Sequence, residues 1–129
     1  MACALTALAQ DNGKPITTAH LATMDSSPVI DGVIDEEEWA GATVIDQPFI
    51  QFQPDYGEPS AFRTVVRIAQ TKTSLFVAFE AWDPDMSQLS AARTQRDSGL
   101  GHDDSVQIML DTFGDRRTAY GFQTNALGT

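Results

Sequence analysis

Two β-rich runs in the middle of the chain place the strongest constraint on its fold. Residues 64–70 read TVVRIAQ, residues 75–82 read LFVAFEAW, and the polar turn TKTS lies between them. This pattern predicts an antiparallel hairpin. The second run has two largely apolar faces, because alternate side chains of a strand point to opposite sides: Leu75, Val77, Phe79 and Ala81 on one, and Phe76, Ala78, Glu80 and Trp82 on the other. We therefore expect it to be a central strand, covered on both sides.

A second hairpin is predicted further along the chain. Residues 105–113 read SVQIMLDTF, residues 118–125 read TAYGFQTN, and a Gly-Asp-Arg-Arg turn lies between them. Pro84 ends the preceding strand, Ser87 is positioned to cap a short helix through Arg93, and residues 48–52 are a further strand candidate. Strands dominate, so the pattern predicts an all-β fold: an antiparallel two-sheet β-sandwich of the immunoglobulin or jelly-roll kind, with one or two short helices.

The stretch PVIDGVIDEEEWAGA, residues 28–42, is rich in carboxylates but is best interpreted as a folding signal. Asp31, followed by glycine, indicates a turn. Asp35 is positioned as an N-cap, with Glu38 three residues later to complete a capping box. Ile34 and Trp39 occupy the two positions of a hydrophobic staple around that box. We therefore predict one short helix here, with Trp39 buried.

The ends of the chain suggest export and an incomplete domain. Residues 1–9 resemble the remnant of a signal peptide, since Ala-Leu-Ala at positions 7–9 fits a small-x-small cleavage pattern. This predicts a protein of the periplasm, the outer membrane or the extracellular space. Residues 10–27 are polar and are interpreted as a linker or a loosely held edge. Residues 28–129 form the predicted sandwich domain, which we expect to be truncated at its C-terminus, because two sheets need more strands to cover both faces.

Charge and cysteine content exclude several classes of function. The chain of 129 residues is long enough for one domain and has a formal net charge of −10. A nucleic-acid binder would need a basic face for the phosphates, so no nucleic-acid partner is expected. One cysteine and two histidines are too few for an intrachain disulfide, a cysteine-based zinc site or a histidine-rich metal site.

Four pieces of the chain, in order, resemble family 9 carbohydrate-binding modules. They are PVIDGVIDEEEW, LFVAFEAWDPD, DDSVQIMLD and YGFQTN. Members of that family usually read P-x-I-D-G-x-x-D-E-x-x-W, L-Y-V followed by an aspartate, D-S-V-E-I-F-I-D and F-x-V-N. The likeness runs from about Pro28 to the last residue. The likeness is more specific to one subgroup, the family-9-like domain at the N-terminus of large exported bacterial proteins. In those proteins a domain with outer-membrane-barrel character follows.

The resemblance implies a β-sandwich, often with bound calcium, that binds carbohydrate beside a glycoside hydrolase or another exported domain. Its implied partners are an oligo- or polysaccharide and the downstream domains of the same polypeptide, such as an outer-membrane barrel. This chain departs from the sugar-binding members at three places. Gly101 and His102 stand where a stacking tryptophan precedes the D-S-V-E-I strand, Gln107 replaces the acid of that strand, and Gln123 replaces the arginine of the F-R-V-N strand. Asn125 matches.

Sugar binding needs an aromatic face for the C–H surface and paired donors and acceptors for the hydroxyls. The candidate ligand-binding residues that meet one of these needs are Trp82, Arg96, His102, Gln107, Gln123 and Asn125. Gln107, Gln123 and Asn125 share one polar stripe if the second hairpin pairs as predicted, and a solvated outer face is the alternative interpretation. Trp82 follows a strand, which also fits a role in the core or at its rim.

Calcium takes six to eight oxygen ligands, usually from carboxylates in loops. The candidate metal ligands lie in loops at strand ends: Asp83, Asp85, Asp103 and Asp104, with Asp97 nearby in sequence. No EF-hand spacing is present, and turn-forming aspartates are the competing interpretation.

Three functions remain open, all of them non-catalytic, because no nucleophile elbow, HExxH or P-loop is visible. The first is glycan binding within an exported envelope protein or glycoside hydrolase. The second is a structural or protein-interaction module attached to an outer-membrane protein. The third is haem binding in a similar sandwich, with Met86 or Met109 and His102 as iron ligands.

Overall fold

The computed structural model of the chain describes residues 4–5, 19–97 and 99–129. These residues form antiparallel strand pairs and almost no helix, so the all-β prediction is confirmed. The elements in chain order are β1 Ala4–Leu5, β2 Ala19–His20, β3 Thr43–Ile45, β4 Thr64–Gln70, β5 Leu75–Ala81, a 3-10 helix Met86–Gln88, β6 Ser105–Leu110 and β7 Tyr120–Asn125. None of the described helical residues forms a segment long and apolar enough to span a membrane. The chain divides into two units, Met1–Asp83 and Pro84–Thr129.

A three-stranded sheet in the order β3-β4-β5 is the framework of the first unit. The predicted hairpin is present, with Thr64 opposite Ala81 and Gln70 opposite Leu75. The expectation that residues 75–82 form the central strand is wrong within this sheet. β4 lies between two neighbours and contributes the buried residues Val65, Val66 and Ala69, whereas β5 lies at the edge. Pairing on both sides, more than side-chain hydrophobicity, makes β4 the better-covered strand.

The segment before the sheet contributes to the same unit. Thr23 forms a parallel bridge with Gln70, and the backbone N–H of Met24 donates to the Gln70 carbonyl oxygen at 2.7 Å. Leu21 is buried. Part of the predicted linker, residues 10–27, therefore lies against the end of β4. The predicted signal remnant at residues 1–9 lies outside the described residues, apart from the backbone of β1, which pairs with β2.

The predicted short helix after Asp35 forms only as a turn. Oδ1 of Asp35 accepts from the backbone N–H groups of Glu37 and Glu38 at 2.8 and 3.2 Å, and Trp39 N–H donates to the Asp35 carbonyl oxygen. The capping box is not completed, because Oε2 of Glu38 accepts from Val29 N–H instead. The carboxylates thus organise a turn, and Trp39 is buried as predicted, with 4% of its surface exposed.

Residues 48–52 form a loop and not the predicted strand. Ile50 makes only an isolated bridge with Pro59, and Gln51 exchanges backbone hydrogen bonds with Gly57 and Glu58. The loop turns through a cis peptide bond before Pro54. Pro48, at the start of the predicted strand, and Pro59, opposite Ile50, cannot donate ladder hydrogen bonds, which limits strand pairing here.

The second unit contains the predicted second hairpin. β6 and β7 pair in register from Ser105 opposite Asn125 to Leu110 opposite Tyr120. The predicted helix through Arg93 is shorter than expected, since only Met86–Gln88 is helical and Asp85, not Ser87, is its N-cap. The turn between β6 and β7 is held by Asp111, whose carboxylate accepts from three successive backbone N–H groups.

Candidate functional site

One face of the β6–β7 hairpin carries the predicted polar stripe. Gln107 lies directly opposite Gln123, and Ser105 lies opposite Asn125, so the four side chains share one face. Both glutamines are exposed. Nε2 of Gln123 donates to Oγ of Ser105 at 2.8 Å. The hairpin therefore brings together three of the six predicted ligand-binding residues.

Asn125 differs from the two glutamines because it is buried, with 6% of its surface exposed. Its Nδ2 donates to the Arg93 carbonyl oxygen and to Oδ2 of Asp103, both at 2.8 Å. Its Oδ1 accepts from the backbone N–H groups of Leu127 and Thr129 at 3.0 and 3.1 Å. An amide side chain offers two donor hydrogens and one acceptor oxygen with two lone pairs, so these four bonds use its full capacity. A sugar would have to displace at least one of them.

Asp103 and Asp104 tie the chain before β6 to residues 90–93. Oδ2 of Asp103 accepts from the backbone N–H groups of Ala92 and Arg93 at 3.1 and 2.9 Å, in addition to Asn125. Oδ2 of Asp104 accepts from Ser90 N–H at 2.8 Å, and Asp104 N–H donates to the Ser90 carbonyl oxygen. The bonds to Asp103 hold the pKa of its carboxyl below the usual range; the bond from Arg93 N–H has the largest effect, followed by the bond from the Asn125 amide.

The lowered pKa of Asp103 predicts acid sensitivity. The group binds its proton more weakly when folded than when unfolded, so its stabilisation is present above the unfolded pKa and is lost as pH falls through the folded one. We expect the melting temperature to decrease as the pH is lowered below about 4. Asp103→Asn should be less stable at neutral pH and should lose part of this acid dependence. Thermal melts of both proteins from neutral pH to about pH 3 check this, and an unchanged acid profile in the variant would contradict it.

The other predicted metal ligands do not form a recognisable cation site. Oδ1 of Asp85 accepts from Ser87 N–H and Oγ, and its Oδ2 accepts from Gln88, bonds that lower the pKa of its carboxyl. Asp83 lies two residues after the end of β5. Within the described ranges, no group of three or more histidine, cysteine or acidic side chains is placed to hold a metal ion. Calcium binding stays a prediction.

Arg96 and His102 lie in the loop that precedes β6. The Arg96 side chain is 95% exposed, and its Nε lies 3.8 Å from Oδ2 of Asp97, which has a positive φ of 61°. His102 is exposed, and its carbonyl oxygen accepts from Oγ of Ser90 at 2.8 Å. The haem candidates Met86 and Met109 are exposed too. Ligand roles for these residues stay predictions.

Trp82, the remaining candidate, belongs to the first unit and follows the last residue of β5. It is 44% exposed. The guanidinium carbon of Arg63 lies 4.7 Å from the centroid of its ring, within the range of a cation–π contact. Nε and Nη2 of Arg63 also donate to the two carboxylate oxygens of Asp46 at 2.9 and 2.7 Å. The Arg63 bond is the main reason that the pKa of the Asp46 carboxyl is lowered.

Sequence reasoning missed Arg63 and Asp46. Asp46 lies just after β3 and Arg63 just before β4, 17 positions apart, and no motif relates them. They border a depression of about 400 Å³ that is also lined by Pro48 and Phe62. Comparison of the chain with known protein families, curated proteins and solved structures found no match.

Proposed function

We propose that this chain is a non-catalytic glycan-recognition domain of an exported bacterial envelope protein or glycoside hydrolase. The observation that supports the proposal most directly is the cross-strand pair of Gln107 and Gln123, exposed on one face of a regular hairpin. Each amide offers donors and an acceptor, which suits the alternating donor and acceptor character of sugar hydroxyls. The lack of a strongly charged group in this pair favours a neutral glycan.

We also propose the antiparallel two-sheet sandwich as the finer description of the fold. Support comes from the faces of each sheet on which apolar side chains lie. In β6–β7, the half-buried Val106, Ile108 and Leu110 share the face of Phe122 and Tyr120, while the glutamines lie on the other. In the first unit, Val66 pairs with Phe79 and Ile68 with Val77 on one face, and the buried Val65 and Ala69 lie on the other. Apolar faces of this kind are what a second sheet covers in a sandwich.

Calorimetric titration with a panel of mono- and oligosaccharides, with and without calcium, tests the proposed function. We expect binding heat with at least one neutral sugar. The double variant Gln107→Ala, Gln123→Ala should bind that sugar roughly tenfold more weakly, because two hydrogen bonds of about 0.5–1.5 kcal/mol are removed. Gln53→Ala, an exposed glutamine in the loop of the first unit, is the matched control and should bind normally. No heat with any sugar would refute glycan recognition.

A structural or protein-interaction module is the second candidate, and a specific observation favours it. The loop of residues 49–60 presents Phe52 and Tyr56, 75% and 67% exposed, in an edge-to-face pair with centroids 5.9 Å apart. Exposed aromatic side chains on an ordered loop are typical of protein interfaces. If the protein binds no sugar but binds a protein partner, and Phe52→Ser abolishes that binding, the result would support this candidate over the first.

A further inference from the structure

The depression beside Arg63, called the Arg63 depression below, has features of a ligand site that the sequence did not indicate. It lies between the end of β3 and the start of β4 and is lined by Asp46, Pro48, Ser60, Phe62 and Arg63, among others. Its volume of about 400 Å³ falls within the range usual for small-molecule sites. Pro48 and Phe62 supply apolar surface, and Asp46 and Arg63 supply polar groups.

Arg63 is held in place from three directions before any ligand arrives. Its guanidinium is bound by Asp46 through two hydrogen bonds, and it rests on the ring of Trp82. The backbone adds a third restraint, because Trp82 N–H donates to the Arg63 carbonyl oxygen at 3.0 Å. A side chain already ordered in this way loses little conformational entropy on binding, which favours affinity.

The pair of Arg63 and Asp46 retains hydrogen-bonding capacity. A guanidinium has five N–H donors, and Asp46 uses two of them, so three remain uncommitted to any described residue. Each Asp46 oxygen accepts one bond from Arg63 and has a further lone pair. Donors and acceptors therefore lie next to each other on one edge of the depression.

The charge balance favours a neutral ligand. Asp46 compensates the positive charge of Arg63, and the chain as a whole carries a net charge of −10, so an anion gains little here. A cation would have to compete with Arg63 for both Asp46 and the ring of Trp82. A neutral ring with adjacent hydroxyls matches the paired donor and acceptor, and its C–H face matches Pro48 and Phe62.

We propose that the Arg63 depression is a binding subsite for a neutral sugar, in which Arg63 and Asp46 bind two adjacent hydroxyl groups. Trp82 acts as a positioning residue that supports the Arg63 guanidinium, and the sugar does not stack on it. The proposal rests on the proposed glycan-recognition function, and it adds a second location, in the first unit, to the glutamine pair.

Fluorescence quenching by acrylamide tests the subsite in the intact protein. The chain has two tryptophans, and because Trp39 is buried, the quenchable emission comes from Trp82. The probes are glucose, xylose, galactose and cellobiose at up to saturating concentration. We expect at least one of them to bind in calorimetry and to reduce quenching of Trp82, because the bound sugar restrains the Arg63 guanidinium that lies over the ring. Its analogue lacking one of two adjacent hydroxyls should bind roughly tenfold more weakly.

Two pairs of variants separate direct binding by Arg63 and Asp46 from the support that Trp82 gives. Arg63→Met and Asp46→Asn should each weaken sugar binding at least tenfold and abolish the quenching response, and Asp46→Asn, which keeps the side-chain shape, guards against loss of the fold. Trp82→Phe, which keeps a ring beneath the guanidinium, should bind nearly normally, whereas Trp82→Leu should bind more weakly. Arg117→Met, an exposed arginine of the β6–β7 turn, is the matched control and should bind as the unaltered protein does.

The outcomes distinguish this proposal from the function on which it rests. If no probe or longer glycan binds, the proposed function fails and the subsite fails with it. If a sugar binds with an affinity that Arg63→Met and Asp46→Asn leave unchanged, only the subsite is refuted. Equal losses in Trp82→Phe and Trp82→Leu would overturn the supporting role assigned to the ring.

Discussion

Replacing Trp39 with alanine is expected to lower the free energy of unfolding by about 3–5 kcal/mol, the loss usual for a large buried aromatic. Trp39 is 4% exposed and, with Leu21, Val65, Val66 and Ala69, is one of the buried apolar residues of the first unit among those the structure describes. Its removal leaves a cavity that its neighbours can fill only in part. Denaturant unfolding monitored by circular dichroism measures the change.

The same position offers a second, more specific expectation. Nε1 of Trp39 is buried and has no hydrogen-bond partner among the described residues. The folded state therefore carries a desolvation cost, of about 1–3 kcal/mol for such a group, that phenylalanine would not have. Trp39→Phe should thus cost less than half as much stability as Trp39→Ala, and Phe113→Ala, at an exposed aromatic, should cost little. Any sugar affinity of the folded Trp39 variants should be unchanged, so a selective loss of binding would contradict a purely structural role.

Asn125→Ala is expected to destabilise the second unit by about 2–4 kcal/mol, because four hydrogen bonds are lost and buried polar groups remain unpaired. The side chain joins the Arg93 carbonyl oxygen, the Asp103 carboxylate and two backbone N–H groups beyond β7. The melting temperature should fall on the order of 10 °C. Thr124→Ala is the neighbouring control on the same strand and should have a much smaller effect.

Asn125→Asp tests which bonds matter. The carboxylate keeps the size of the amide but cannot donate, and it places a second negative charge beside Asp103. We expect this variant to be unstable at neutral pH and to regain stability as acid protonates one of the two carboxyls. A variant that melts normally but has lost sugar binding would instead assign Asn125 to the ligand, as the family resemblance implies.

Features set by neighbouring residues were predictable. Each hairpin joins two β-rich runs through a short polar turn, and the alternation of side chains determines which residues share a face. The β4–β5 and β6–β7 pairs follow from these runs, and the shared face of Gln107, Gln123 and Asn125 follows from the alternation, whereas the register that sets Gln107 directly opposite Gln123 came from the structure. The burial of Trp39 followed from its spacing after Asp35, although the turn does not continue into a helix.

Features set by distant residues were not predictable from one sequence. Asp46 meets Arg63 across 17 positions, and Asn125 meets the Arg93 carbonyl across 32. A hydrogen bond of this kind has no period or local spacing, because it depends on where the backbone folds back. The sugar-binding motif suggested Asn125 as a ligand, yet the fold surrounds that amide with partners of its own chain.

The sequence by itself determined that this chain is an antiparallel β protein with two hairpins and defined faces, because strand formation and alternation are local properties. Only the tertiary structure decided that β4 and not β5 lies at the centre of its sheet, that Asn125 is buried, and that Arg63 is held between Asp46 and Trp82. Burial and the geometry of a site depend on which segments become neighbours, and that choice is made by the free energy of the whole fold.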